Sequence, residues 1–96
     1  MRRARRVARW KGAAELALMI YAYGRYNEIG PVRREMAAAA GRVLERLGED
    51  EHEVYKLEFV DGMDVRMASD KSHMSKSSYY RRRGHLIREV ARELEV

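Results

Sequence analysis

Ser69-Asp70-Lys71-Ser72-His73-Met74-Ser75-Lys76-Ser77-Ser78-Tyr79-Tyr80-Arg81-Arg82-Arg83 is a short polar turn that runs into a basic, aromatic segment. Ser75 precedes a run with no Gly or Pro until Gly84, and a serine hydroxyl at such a place satisfies an orphan amide of a helix's first turn. A helix is therefore predicted to begin at Lys76. Tyr79, Leu86, Ile87, Val90, Ala91 and Leu94 recur at three- and four-residue steps, an apolar stripe down about five helical turns. Lys76, Ser77, Tyr80, Arg81 and Arg83 fall off that stripe, at the end of the helix where the macrodipole favours an anion.

Upstream, Gly62 offers a stop after the apolar segment Val54-Tyr55-Lys56-Leu57-Glu58-Phe59-Val60, because glycine reaches the left-handed conformation that closes a helix. Asp64 is an N-cap for a short helix over Val65 to Lys71. The resulting order is helix, Gly, capped short helix, turn and Ser-capped long helix. This is the arrangement of a helix-turn-helix, in which the second helix enters a DNA groove.

That order is similar to region four of sigma factors and its relatives. Within that group, Asp70-Lys71-Ser72-His73-Met74-Ser75-Lys76-Ser77-Ser78-Tyr79-Tyr80-Arg81 resembles the motif of the RinA and ArpU type phage transcriptional regulators, where a Ser, a short polar pair and Thr/Ser-Tyr-Tyr-Arg open the last helix. The resemblance is specific over residues 49 to 96 and looser before, where a helix carrying Glu15, Leu16 and Tyr23 is similar to the family's first helix. It implies a DNA-binding activator of late or packaging genes in a phage or prophage, acting in the cytoplasm of a bacterial host cell. The chain departs from the family at Ala68, where a larger aliphatic residue is usual, at Ser69 in place of Ala, and at Lys71 and Ser72, which supply no large apolar side chain. The short scaffold helix is consequently expected to be thinly packed.

The expected division of labour follows. Ser75 caps; Lys76, Ser77, Ser78, Tyr80 and Arg81 face the groove; Lys71, Ser72, Arg82 and Arg83 hold phosphates; Tyr79 points into the core. The competing reading of the same residues is a surface helix with a solvated charge run. The distribution of charge favours the former. Residues 2 to 11 carry six basic and no acidic groups, residues 12 to 70 seven basic and twelve acidic, and residues 71 to 92 seven basic against Glu89 alone. Segregation of this kind, within a net charge of +5, concentrates positive potential and points to double-stranded DNA as partner.

Ninety-six residues make one domain, and twelve of its 46% hydrophobic residues are Ala, so close packing of helices around small residues is expected. With no Cys there is no disulfide framework, which suits a reducing cytosol. Residues 1 to 11 read as a basic arm leading into a helix over Gly12 to Arg25, with Leu16, Ile20 and Tyr23 inward, Ala13, Ala17 and Tyr21 widening that face, and Trp10 and Tyr26 covering its ends. The apolar stretch Ala13 to Ala22 holds Glu15 and is too short to cross a bilayer, which needs about 20 residues. Gly30-Pro31 breaks the chain before a second helix to Leu47, whose stripe is Val32, Met36, Ala39, Ala40, Val43, Leu44 and Leu47; a third starts near Asp50, with Asp50, Glu51 and Glu53 complementing its positive end. Val54, Leu57 and Phe59 are expected to pack on the stripe of the last helix.

The chain thus reads as all-α, about five helices, with residues 12 to 48 as two N-terminal helices and 49 to 96 as the helix-turn-helix half. His52, His73 and His85 lack metal-ligand spacing, and no phosphate loop or nucleophile elbow is present. No enzyme, cofactor, metal or membrane partner is expected. Two alternatives are the DNA-reading part of a small terminase and a protein module that docks on RNA polymerase. A homodimer through residues 12 to 47 is expected, since such regulators gain affinity from two half-sites.

Overall fold

Glycine and proline divide the chain as their backbone preferences require. The computed structural model describes the backbone of residues 2–24 and 30–95 and the side chains of 12–24 and 30–95. Over these residues the chain forms α1 (Arg2–Tyr23), α2 (Pro31–Arg46), α3 (Glu49–Tyr55), α4 (Val65–Lys71) and α5 (Lys76–Glu95), with Lys56–Val60 continuing α3 as a π-helical turn. No strand occurs among the described residues. No helix of the described residues is long and apolar enough to cross a membrane.

The expected basic arm is no separate element, because the helical backbone begins at Arg2 and runs unbroken through Gly12. The expected covering of this helix's ends by Trp10 and Tyr26 lies outside the described side chains. Pro31 opens α2 at its first turn, where its missing amide has no intrahelical partner. Helix α3 starts one residue earlier than expected, at Glu49, and carries Glu49, Asp50 and Glu51 in its first turn.

α1 packs on α2 and α5, and α3 crosses α5. The core joins Ala14, Ala17 and Leu18 of α1, Ala40, Val43 and Leu44 of α2, Val54 and Leu57 of the α3 segment, Ala68 of α4, and Tyr79, Leu86, Ile87 and Val90 of α5. Ala91 and Leu94 pack against it, completing the expected stripe of α5. Alanine lets helix axes come close. At Gly41 the fit is tighter still, since a Cβ there would stand 2.9 Å from the Tyr21 ring.

The inward face of α1 differs from expectation. Leu16 is 38% and Tyr23 64% exposed, while Ala14 and Leu18 turn inward beside Ala17, Ile20 and the partly buried Tyr21, the three that were expected there. Nearly every side chain from Ala13 to Tyr23 is apolar, so the choice of face falls to the partner, and the alanines and Gly41 of α2 accept Ala14, Leu18 and Tyr21. Val32, expected on the α2 stripe, is 73% exposed, because it stands at the first turn beyond the reach of the core.

The π-helical turn ends in an Asp61 N–H to Lys56 carbonyl bond of 2.8 Å and a Met63 N–H to Leu57 carbonyl bond of 3.0 Å, across Gly62 at φ +74°. A side chain disfavours that φ, so glycine is required there. Phe59 stacks on Tyr55, which meets Tyr21. It thereby joins α1 as well as the core.

Candidate nucleic-acid interface

The unit formed by α4, the Ser72–Ser75 connection and α5 is fastened by short polar bonds. Asp64 Oδ1 accepts the Met67 amide at 2.8 Å, and Ser75 Oγ accepts the Ser78 amide at 3.2 Å, so both expected caps are present. Ser72 Oγ accepts the Met74 amide at 2.9 Å, and the His73 amide donates to Glu53 at 3.0 Å. These bonds set where α5 starts. α4 buries only Ala68 and Ser69, as the small side chains at those positions imply. The Ser69 hydroxyl is buried without a hydrogen-bond partner among the described residues, an arrangement that costs stability.

α5 turns two opposite faces to its surroundings. Tyr79 is fully buried and its hydroxyl donates to Glu58 at 2.7 Å; burial, reinforced by that carboxylate, pushes its phenol far above the ordinary range. Tyr80 packs edge-on against it and is 44% exposed. Lys76, Ser77 and Arg81 are exposed beside Tyr80, Ser78 is half-buried, and Lys71 is exposed at the end of α4. The Arg81 guanidinium is 3.5 Å from Ser78 Oγ and has no carboxylate partner among the described residues. Lys71, Lys76, Ser77, Tyr80 and Arg81 are therefore all accessible.

Three of the expected phosphate holders face inward or sideways instead. Arg83 Nε donates to both oxygens of Glu58, at 2.9 and 3.0 Å, and its Nη2 reaches Glu15 at 2.9 Å. Its side chain is 15% exposed and that of Glu58 6%. Burial alone would lower the Arg83 pKa, but the two carboxylates outweigh it and raise it. Arg83 thus ties α5 to α1 and the π-helical turn, and it is withdrawn from the phosphate set. The reason is rotational: Arg83 stands one turn below Tyr79, on the inward side of the helix. Arg82 lies 3.4 Å from both Asp50 and Glu51. The Ser72 hydroxyl accepts the Met74 amide, and so belongs to the turn.

The acidic first turns of α3 meet the basic flank of α5. His85 Nδ1 is 2.8 Å from Glu51, and the His73 ring contacts Glu53 with Asp50 at 3.5 Å. Burial raises the Glu51 pKa, but hydrogen bonds from His85 and the helix backbone, with Arg82 nearby, more than reverse it. Glu53 behaves alike, burial being outweighed by the His73 amide, Ser72 and the His73 ring. These pairs offset part of the basic charge that residues 71 to 92 concentrate. His52 Nε2 meets the Leu44 carbonyl instead.

Exposed cations outside the sequence-based set include Arg66 on α4 and Arg88 on α5. Arg88 is exposed without a carboxylate partner among the described residues, and its guanidinium lies over Gly84. The signal was its spacing from Arg81, seven residues or about two turns along the same face. No protein-family model, curated protein or solved structure matches the chain, so the reading of this surface rests on its geometry and on the residues themselves.

Proposed function

We propose that the chain is a sequence-specific DNA-binding transcription regulator that uses α4 and α5 as a helix-turn-helix of the sigma-region-four type. The observation that carries this reading is the two-faced first half of α5. Tyr79 and Arg83 lock one side into the protein, while Ser77, Tyr80 and Arg81 stand exposed away from it, with Lys76 exposed at the first turn of α5 and Lys71 exposed at the end of α4. A helix fixed in this way presents donors to base edges at defined positions, and its unpaired cations supply attraction for phosphates. The resemblance of residues 70 to 81 to the RinA and ArpU regulators adds the context of late-gene or packaging-gene control in a phage or prophage.

Selection of bound sequences from a random duplex pool tests this. Recovery of one motif is the expected result, and two copies about one helical turn apart would report the homodimer. Failure to retain any duplex at low salt would overturn DNA binding, since the electrostatic contribution is then at its largest.

A second reading has its own observation. Met19, Tyr23 and Val60 are 56%, 64% and 53% exposed, beside a groove that Phe59, Met63 and Val65 also line. An apolar rim of this kind favours a protein partner such as RNA polymerase. Binding of that partner without any duplex would favour it over the first.

A further inference from the structure

We infer that Gly84 and Arg88 form a seat for one backbone phosphate of the duplex, separate from the base-reading residues; this rests on the DNA-binding reading above. Gly84 lies in the middle of a 20-residue helix, where glycine is a poorer choice than alanine. Among the described residues nothing calls for it. Its φ is not left-handed, and among the described residues the only atoms near a Cβ placed there belong to the Arg88 guanidinium, with Nη1 at 3.1 Å. Arg88 is exposed, so that guanidinium can shift aside. Gly41 is different, because the Tyr21 ring leaves no room for a Cβ; Gly24 and Gly62 have positive φ.

The position fits an approach from outside. Ser77, Arg81, Gly84 and Arg88 are spaced by four, three and four residues on one outward face, spanning about 16 Å along the axis. The major groove is only about 12 Å wide. A helix whose first turns sit in the groove must pass the flanking sugar-phosphate strand farther along. At that crossing the bare backbone of Gly84 allows close approach, and Arg88 supplies a planar pair of donors for phosphate oxygens.

Anisotropy titrations of the full chain with a selected and a scrambled duplex, together with thermal melts, test the seat in Gly84→Ala and Arg88→Gln. Gly84→Ala should melt no lower than the unaltered chain and bind both duplexes about fivefold to tenfold more weakly, the effect of about one lost hydrogen-bonding contact. Arg88→Gln should weaken both duplexes alike and reduce the logarithmic salt slope by about 0.9. Unchanged binding in Gly84→Ala overturns the seat, as does a loss confined to the selected duplex. A lowered melting temperature in that variant also overturns it, by showing an internal need for the glycine. An unaltered chain that binds neither duplex removes the DNA-binding reading and the seat together; one that binds while both variants match it removes the seat alone.

Discussion

Arg81 and Arg83 are two residues apart and chemically identical, yet a turn of about 200° separates their side chains. Arg83 is enclosed by Glu58 and Glu15, and Arg81 is exposed beside Tyr80. Their replacements should therefore differ in kind. Arg83→Ala leaves the Glu58 carboxylate buried with only Tyr79 as partner, and removing one member of a buried pair costs about 3 kcal/mol or more. Its melting temperature should fall whether or not DNA is present; an unchanged melt with weakened DNA binding would restore Arg83 as a phosphate contact. Arg81→Ala should melt normally, lose about 1–3 kcal/mol at the preferred site and relax preference at one base pair. Equal weakening of preferred and random duplexes would make it a phosphate clamp and pass base reading to Lys76 and Tyr80. The Tyr79 and Tyr80 assignments were legible in the chain because Tyr79 shares helical spacing with Leu86 and Val90. The fate of Arg83 was not, since its partners lie 25 and 68 residues away in sequence.

At the scale of elements, legibility followed contrast between faces. α5 alternates Tyr79, Leu86, Ile87 and Val90 with charged residues, so its stripe and its Ser75 cap could be read directly. α1 offers apolar side chains all round, and no periodicity distinguishes Leu16 from Leu18; the surface of α2 decides, and it takes Leu18. That decision can be tested at Gly41. Alanine is the better helix former, but its methyl group would stand 2.9 Å from Tyr21 Cε1, in a ring packed toward Tyr55. Overpacking of this sort costs about 1–3 kcal/mol. Gly41→Ala should thus lower the melting temperature, opposite in sign to alanine at Gly84 in the same protein. A stabilised Gly41→Ala would show that α1 and α2 do not meet through Tyr21.

Across the whole molecule, the acidic middle of the chain serves as counter-charge for α5. Asp50, Glu51, Glu53 and Glu58 pair with Arg82, His85, His73 and Arg83, while Arg66, Lys71, Lys76, Arg81, Arg88 and Arg92 of α4 and α5 are exposed. Far from this flank, Glu93 takes Arg42 and Arg46 at 2.8 and 3.1 Å and joins α2 to the end of α5; these hydrogen bonds hold its carboxyl below the ordinary range. Glu51, Glu53 and Glu93 thus all have lowered pKa values in the folded chain. On unfolding each returns to about 4.3, so the unfolded chain binds protons at a pH where the folded one does not. Their stabilising contribution is complete above that value and is lost as pH falls through the folded values. The melting temperature should accordingly drop on acidification below about pH 4.3. Glu51→Gln should be less stable than the unaltered chain at neutral pH, because its buried partner network loses a charge, and should fall less steeply in acid. Parallel acid profiles for the two proteins would show that Glu51 does not hold α3 to α5 through its charge.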